Sequence, residues 1–164
     1  MIIRPELPAD RPRVEAITRA AFADHPHSDH REHLIVDALR AAGALTLSLV
    51  AERDGDLIAH IAFSRVSVSA GDGDWYGLGP LSVAPHFQRQ GAGSALVQDG
   101  LARLRELGAA GCVVLGDPEY YRRFGFTKAD PLYLPDFPPE YFSAVVFKPG
   151  DHAGAVAYDP AFAV

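Results

Sequence analysis

The stretch from Leu78 to Gly93 constrains this chain more than any other part of the sequence. It reads LGPLSVAPHFQRQGAG, an apolar strand that stops at Pro85, a short polar loop, and a helix that opens on Gly91 and Gly93. The first backbone N–H groups of a helix have no intrahelical partner, and the helix dipole adds partial positive charge there. Because glycines leave these N–H groups uncovered by side chains, the stretch predicts an anion site that suits a phosphate.

The loop and the helix start also supply the candidate ligands of that anion. Polar side chains of the loop add donors at the rim. Two other glycine-rich motifs do not fit, because a dinucleotide fingerprint requires a small residue where Leu96 stands, and a P-loop requires Lys where Ser94 stands. The alternatives are a helix start without a ligand and a nucleotide- or phosphosugar-binding enzyme with the same helix start. The candidate anion-binding residues are Gln88, Arg89, Gln90, Gly91, Ala92, Gly93 and Ser94.

The composition indicates a globular protein of one domain. A chain of 164 residues is long enough for one domain with a hydrophobic core over residues 1–164 and too short for two domains of typical size. The formal net charge of -6 disfavours nucleic acid and anionic membrane surfaces as partners and weakly favours a cationic substrate. No apolar run approaches membrane-spanning length, no signal peptide is apparent, and the single cysteine, Cys112, suits a reducing compartment. We therefore expect a cytoplasmic protein.

Hydrophobic periodicity predicts an α/β chain that begins with a strand and two helices. The strand covers residues 2–4, and the second helix is expected to begin at a capping box formed by Asp29 and Glu32. An Asp-Gly turn at residues 54–55 and a second turn at residues 71–74 separate three alternating runs. Such turns between alternating runs predict a meander of three antiparallel strands.

The third strand of the meander contains residues that are unusual inside a strand. Gly77, Gly79 and Pro80 indicate a bulge or a splayed edge, where backbone groups are freed from the ladder and need another partner. After the glycine-opened helix, the apolar run over residues 112–115 is typical of a buried strand. The helix between them favours a parallel placement beside the bulged strand, and residues 142–147 are expected to form a last strand.

Two motifs resemble those of the GNAT N-acetyltransferase superfamily. Gln88-x-x-Gly91-x-Gly93 after an apolar strand looks like its Q/R-x-x-G-x-G/A signature. Tyr121-x-x-x-Gly125-Phe126 resembles the segment that places a tyrosine beside the thioester sulfur of acetyl-CoA. The order of predicted elements also matches, so we expect the GNAT acyl-CoA N-acyltransferase fold, a mixed α/β sheet with an antiparallel N-terminal meander, a bulged central strand and parallel pairing with the following strand.

Within this superfamily, the chain looks most like the YhbS-like branch of predicted acetyltransferases. The segments that carry this closer resemblance are residues 78–83, residues 116–126 and the C-terminal Tyr158-x-x-Ala161-Phe162. One departure is the stretch over residues 115–118, where many GNAT proteins carry an Asn that helps to hold the pantetheine arm and this chain does not.

The resemblance implies an enzyme that uses acetyl-CoA as co-substrate, without a metal. Direct transfer of the acetyl group to an amine is implied, and the acceptor would be a small molecule or a peptide. Tyr121 would donate a proton to the departing thiolate. Backbone groups freed around Leu81, Ser82 and Val83 would bind the thioester carbonyl and the pantetheine amides. A non-catalytic acyl-CoA-binding sensor or regulatory module is the alternative.

Several polar residues receive no role from these motifs. Residues 25–33 include four histidines, but their spacing matches neither common zinc motif, so we expect no metal site there. His60, Asp117 and Glu119 are candidate general bases, and none of them is favoured over the others. No motif identifies the acceptor. Superfamily members often pair through their late strands, so a homodimer is possible.

Overall fold

The structure is a computed structural model that describes residues 1–164. A mixed sheet of nine strands forms its centre, with helices packed on it, and none of these helices combines the length and the apolar character that crossing a bilayer requires. The strands are β1 (Ile2–Pro5), β2 (Leu45–Arg53), β3 (Asp56–Ala70), β4 (Trp75–Val83), β5 (Gly111–Leu115), β6 (Thr127–Lys128), β7 (Leu132–Tyr133), β8 (Phe142–Val146) and β9 (Ala153–Ala157). The α-helices are α1 (Arg11–Phe22), α2 (Glu32–Ala41), α3 (Ala92–Glu106) and α4 (Pro118–Tyr121).

The sheet has the mixed topology that the sequence predicted. Its first four strands are antiparallel neighbours in sequence order, which confirms the meander of β2, β3 and β4. β5 lies parallel to β4, with α3 as the crossover between them. β8 pairs with the other edge of β5, and β6 pairs with β8. β9 stands outside this order because it pairs with the C-terminal end of β3 and with β7.

The sequence pattern did not predict β6, β7 or β9. β6 and β7 contain two residues each, too few to show a period. β9 reads AGAVA and lacks the β-branched and aromatic enrichment that marks a strand. Its pairing partners hold it in place, with Val156 opposite Val68 and Ala157 opposite Ser67. The C-terminal residues therefore belong to the sheet.

A β-bulge interrupts β4 at the predicted place. Ile61 lies opposite Leu81 and Phe63 lies opposite Leu78, so β4 takes three steps where β3 takes two. The irregular step contains Gly79-Pro80. Because a bulge bends its strand and disrupts the ladder locally, this feature turns the end of β4 away from a regular sheet edge.

The helices cover opposite faces of the sheet. Adjacent residues of a strand point to opposite faces. Leu49 packs in the hydrophobic cluster that includes Leu96 of α3, whereas Val50 packs in the cluster that includes Ile17 of α1. We therefore distinguish an α3 face and an α1 face, and each residue of the central strands can be assigned to one of them.

The predicted capping box at the start of α2 is wrong. Glu32 is the first residue of the helix rather than its third, and the N-cap residue is Arg31, whose side chain makes no capping hydrogen bond. Asp29 instead accepts a hydrogen bond from the backbone N–H of Arg31 at 3.1 Å, and Glu32 accepts one from the hydroxyl of Ser28 at 2.7 Å. The reason is that Asp closes a local turn with the residue two positions on, which shifts the helix start.

Close packing between α3 and the sheet predicts the effect of one substitution. A Cβ atom at Gly100 of α3 would overlap the ring of Phe63, which is fully buried in β3. We expect Gly100→Ala to lower the free energy of unfolding by about 1–3 kcal/mol, although alanine favours a helix more than glycine does. Urea unfolding measures this change. Gln98→Ala, at an exposed position of the same helix, is the control, and equal stability of the two variants would contradict the close helix–sheet contact.

Candidate active site

A cleft opens where β4 and β5 part. Their parallel pairing begins with Trp75 opposite Gly111 and ends with Gly77 opposite Val113. β4 continues from there to Val83 with β3 on one edge and no strand on the other. The last part of β4 therefore has one edge free to bind a partner other than a strand.

The alternation of hydrogen bonds shows which residues of β4 face this free edge. The N–H of Ala84 donates to the C=O of Ile58 at 2.8 Å, so these residues form a hydrogen-bonded pair across the two strands. Hydrogen-bonded and non-hydrogen-bonded pairs alternate along an antiparallel ladder. Ser82 and His60, two residues away on each strand, therefore also form a hydrogen-bonded pair. The residues on either side of Ser82 point their N–H and C=O groups the other way, into the cleft. These residues are Leu81 and Val83.

The start of α3 leaves backbone donors uncovered. Gly91 is the N-cap residue, with a left-handed φ of 94° that favours glycine, and no side chain caps the helix. The N–H of Ala95 donates to the C=O of Gly91 at 3.0 Å and begins the helical hydrogen bonds. The N–H groups before it have no intrahelical acceptor. They belong to Ala92, Gly93 and Ser94.

This helix start faces the free edge of β4. A Cβ atom at Gly93 would lie 3.5 Å from Cγ2 of Val83 and 3.9 Å from Cδ2 of Leu81. The two elements that the sequence predicted to bind a ligand therefore meet in one place. A side chain at Gly93 would narrow the space between helix and strand.

The loop before α3 presents one unpaired cation. Gln88 donates from Nε2 to the C=O of Val83 at 3.1 Å, and Gln90 accepts from the guanidinium of Arg53 at 3.0 Å. Both glutamine side chains are therefore engaged in shaping the loop. Arg89 is exposed, has a left-handed φ of 61°, and makes no ion pair within the chain. Its guanidinium is free to meet an anion at the helix start.

The short helix α4 brings two tyrosines to the other side of the cleft. Asp117 is its N-cap and accepts a hydrogen bond from the N–H of Glu119 at 2.9 Å. A 3-10 turn continues α4 and ends at Gly125, whose φ is 96°. Tyr120 and Tyr121 are the last residues of α4.

Tyr120 places its hydroxyl at the start of α3. The Oη atom lies 2.9 Å from the position that a Cβ atom of Gly93 would take. The guanidinium of Arg123 lies 4.7 Å from the centre of the Tyr120 ring, within the range of a cation–π contact. The motif spacing favoured Tyr121, and no local sequence signal indicates that the phenol of Tyr120 reaches the helix start.

Tyr121 packs more deeply, against the cluster of the α3 face. Its ring lies over Gly116, with Cε2 at 2.8 Å from the position of a Cβ atom there, and meets the ring of Phe126 edge to face at 5.8 Å. Burial raises the pKa of the Tyr121 phenol well above its ordinary value, and Tyr120, Cys112 and Asp117 add to the effect. The phenol is therefore protonated at neutral pH and able to donate.

The side chain of Ser82 lies on the α1 face, away from the cleft. Its Oγ atom is buried 3.4 Å from Oγ1 of Thr18 in α1. Its cross-strand partner His60 is fully buried on the same face, with Nε2 at 2.8 Å from Oγ of Ser48. Of the three predicted β4 residues, Leu81 and Val83 thus offer backbone groups to the cleft, and Ser82 holds the register between them.

The candidate general bases are engaged elsewhere. Asp117 caps α4, and Glu119 pairs with Arg122 at 3.0 Å on an exposed surface. Burial and, to a smaller extent, the nearby Arg40 guanidinium lower the pKa of His60 to about 3, so the imidazole is neutral at physiological pH. No group of three His, Cys, Asp or Glu side chains is arranged to hold a metal ion.

Sequence comparisons connect this site with known proteins. The Acetyltransferase (GNAT) family matches residues 12–126 of the chain. A protein of Escherichia coli K12 named uncharacterized N-acetyltransferase YhbS is 45% identical over 130 residues, which make up 79% of this chain and 75% of that protein. Uncharacterized N-acetyltransferase YjhQ of the same strain is 31% identical over 121 residues, or 72% of this chain and 65% of that protein.

Solved structures show the same fold with bound coenzyme. A GNAT family acetyltransferase from Brucella melitensis, in complex with acetyl-CoA, is 50% identical with a TM-score of 0.86, covering 98% of this chain and 97% of its own. YhbS from Escherichia coli, in complex with CoA, is 36% identical with a TM-score of 0.88, covering 99% of this chain and 92% of its own. Both coverages extend beyond the family match to the C-terminal strands.

Burial of His60 predicts a pH dependence of stability. The pKa of its imidazole falls from 6.5 in the unfolded chain to about 3 in the fold. As the pH falls below 6.5, the unfolded state binds a proton that the folded state does not bind, so stability present above pH 6.5 is lost toward pH 3. The slope for one proton reaches about 1.4 kcal/mol per pH unit.

Urea unfolding between pH 7 and pH 5 measures this slope. We expect His60→Leu to show a shallower loss of stability over this range than the wild type. His25→Gln, at an exposed position, is the control and should keep the wild-type slope. Asp10, whose pKa is lowered mainly by Arg4, titrates below this range. An unchanged slope in His60→Leu would show that His60 is not the group responsible.

Proposed function

The chain belongs to the GNAT family of acetyltransferases, and from this premise we propose that it is an acetyl-CoA-dependent N-acetyltransferase acting on an amine, with residues 1–164 forming a single domain. The observation that carries the proposal is that the free edge of β4 and the uncapped start of α3 meet in one cleft, where the Tyr120 hydroxyl also lies. The ring of Tyr121 is next to it, with its centre 5.0 Å from that of Tyr120. The acetyl-CoA complex of the Brucella melitensis relative supports the choice of co-substrate.

The start of α3 is proposed to bind the diphosphate of the co-substrate. The N–H groups of Ala92, Gly93 and Ser94 point out of the helix, and the helix dipole favours an anion there. Arg89 adds a charged donor, while Gln88 and Gln90 hold the loop through their hydrogen bonds. Gly91 allows the left-handed turn that brings this loop beside the helix start.

The free edge of β4 is proposed to bind the pantetheine arm and the thioester. The N–H groups of Leu81 and Val83 face the cleft two residues apart, the spacing at which a β-strand pairs with a neighbouring strand. The amide groups of the arm would take the place of that neighbouring strand. One such donor, aimed at the carbonyl oxygen on which negative charge develops, contributes roughly 3 kcal/mol in enzymes where it has been removed. Ser82 keeps these neighbours in register by pairing with His60.

Tyr121 is proposed to be the general acid. Acetyl-CoA would supply the acetyl group as a thioester, and the thiolate that leaves has an ordinary thiol pKa near 8.5. A phenol of ordinary pKa near 10 is already protonated at neutral pH and can protonate a thiolate. Burial raises the pKa of Tyr121 in the free protein, which keeps the proton on the phenol but makes it a weaker acid. Burial likewise raises the pKa of the Cys112 thiol, which suits direct transfer without an acyl-cysteine step.

The acceptor amine is proposed to lose its proton to water before it attacks. An alkylammonium has a pKa near 10.4, so its free amine fraction is small at neutral pH. Asp117 and Glu119 are occupied by a cap and an ion pair, and His60 is a weak base on the other side of β4. The free amine fraction therefore sets the pH dependence of the reaction, and kcat/KM for the amine should rise with pH from 7 to 9.

Arg89 provides a test of the diphosphate site. Arg89→Gln removes a charge that has no ion pair in the free protein, so the fold should be unaffected. We expect the Kd for CoA to rise roughly ten- to a hundredfold, since a hydrogen bond to a charged group contributes about 1.5–3 kcal/mol. Isothermal titration calorimetry measures the Kd. Arg11→Gln, which removes an exposed arginine charge from α1, should leave it unchanged; equal affinity in both variants would place the diphosphate elsewhere.

Tyr121 provides a test of the chemistry. Tyr121→Phe should lower kcat by roughly 100-fold or more, the usual contribution of a general acid, while the Kd for CoA stays at the wild-type value. Tyr120→Phe removes the neighbouring hydroxyl and is expected to keep kcat within a few-fold. A kcat that is unaffected by Tyr121→Phe contradicts the assigned role.

Two results would favour other functions. A wild-type protein that binds acetyl-CoA but acetylates nothing in a broad amine screen would be a non-catalytic acyl-CoA sensor. Thermal stabilisation by ATP or NAD, and not by acetyl-CoA, would indicate a nucleotide-binding protein that uses the same helix start.

A further inference from the structure

The short helix α4 places a phenol hydroxyl at the start of α3. Oη of Tyr120 lies 2.9 Å from the position that a Cβ atom of Gly93 would take. That position is two bonds from the backbone nitrogen of Gly93, so the hydroxyl and this nitrogen are at most about 5.5 Å apart. In a helix, both the N–H group and the Cβ direction of a residue point toward the N-terminal end. Because hydrogen bonds to an anionic oxygen are about 2.5–3.0 Å long, one such oxygen can accept from both groups.

This hydroxyl is accessible and has no partner in the free protein. Tyr120 is half-buried, and its Oη atom makes no hydrogen bond within the chain. The buried side-chain atoms that lack a partner belong to three other residues, His60, Ser64 and Tyr158. Since Oη of Tyr120 is not one of these buried atoms, solvent reaches it. A ligand in the cleft can therefore reach it as well.

Contacts around the ring fix the direction in which the hydroxyl points. The ring of Tyr120 meets that of Tyr121 edge to face at 5.0 Å and that of Phe124 at 5.4 Å, measured between ring centres. The guanidinium of Arg123 lies 4.7 Å from the centre of the same ring. A phenylalanine would make these three contacts equally well, so the hydroxyl is not needed for packing. Because the ring is already held in place, a ligand that binds the hydroxyl loses little free energy in ordering it.

The charges near this point favour an anion. Arg89 precedes the start of α3 by two residues, and Arg123 lies over the ring that carries the hydroxyl. Neither arginine makes an ion pair within the chain. Their charges add to the partial positive charge of the helix start.

The same point lies beside the end of β4. The Cβ position at Gly93 that is 2.9 Å from the Tyr120 hydroxyl is also 3.5 Å from Cγ2 of Val83. An anion held between the hydroxyl and the N–H of Gly93 would therefore be next to the free strand edge. An extended ligand that carries the anion can continue from there along β4.

We propose that Tyr120 is a further binding residue for the co-substrate, and that its hydroxyl donates a hydrogen bond to a diphosphate oxygen of acetyl-CoA that also accepts from the N–H of Gly93. The inference rests on the proposed acetyltransferase function, because that function supplies the diphosphate. The oxygen belongs to the phosphate nearer the pantetheine arm, since the point lies beside β4, along which the arm is proposed to bind. Tyr120 and Tyr121 then contact one co-substrate from successive positions of α4, the first at the phosphate and the second at the sulfur.

Two fragments of CoA separate the diphosphate from the arm. Adenosine 3′-phosphate 5′-diphosphate contains the diphosphate without the arm, and pantetheine contains the arm without a phosphate. Tyr120→Phe should raise the Kd of CoA and of the nucleotide fragment roughly ten- to a hundredfold, the contribution of a hydrogen bond to a charged group, and leave that of pantetheine unchanged. Isothermal titration calorimetry measures the first two Kd values, and competition against CoA measures the third.

The control is Tyr133→Phe, which removes the hydroxyl of an exposed tyrosine in β7 and should keep all three affinities. Without ligand, both variants should melt at the wild-type temperature, because neither hydroxyl has a partner within the chain. In turnover, Tyr120→Phe should raise the KM for acetyl-CoA and keep kcat within a few-fold.

Three results would contradict the proposal, and they have different meanings. Wild-type affinity of Tyr120→Phe for CoA overturns it and indicates that the hydroxyl binds only water. A loss of affinity for CoA and pantetheine, but not for the nucleotide fragment, overturns it by placing the hydroxyl on the arm. If the wild type binds neither CoA nor the nucleotide fragment, the proposed function fails, and the inference fails with it.

Discussion

The parting of β4 from β5 is the constraint on which the rest of the site depends. Parallel pairing ends at Gly77 and Val113, and the bulge at Gly79-Pro80 bends β4 before its last residues. A strand edge without a partner inside a protein must find other donors and acceptors for its backbone groups. Here the free edge meets the uncapped start of α3, so two sets of unpaired backbone groups share one cleft. A bound molecule with amides and phosphates satisfies both.

Side chains alternate between the two faces of the central strands, so the α3 face and the α1 face carry different functional groups. In β4, Leu81 and Val83 direct their backbone groups into the cleft, while Ser82 between them pairs with His60 and buries its hydroxyl against α1. The α3 face holds the proposed co-substrate and Tyr121. The α1 face holds a row of uncharged polar groups under α1 and α2, with the pKa of its histidine lowered by burial.

The C-terminal segment completes this arrangement. β9 pairs with the end of β3 and carries the chain to Tyr158, whose ring replaces the side chain that Gly77 lacks. The small residue in β4 and the large one after β9 are therefore complementary, although they lie far apart in the sequence. The family match ends at Phe126, whereas the similarity to YhbS and to the Brucella melitensis structure includes this segment. The pairing of β9 and the packing of Tyr158 therefore lie outside the residues that the family match covers.

The sequence by itself determined the features whose causes are local. The turns at residues 54–55 and 71–74, the glycine opening of α3 and the alternation of the meander each follow from neighbouring residues, and they predicted the mixed sheet and its bulge correctly. Tertiary structure alone decided the start of α2, the pairing of β9, the position of the Tyr120 hydroxyl at Gly93 and the face on which Ser82 lies. These depend on contacts between residues distant in the sequence, and local propensity carries no information about such contacts. The burial of the Tyr158 hydroxyl is decided in the same way, because burial is a property of the fold and not of the residue.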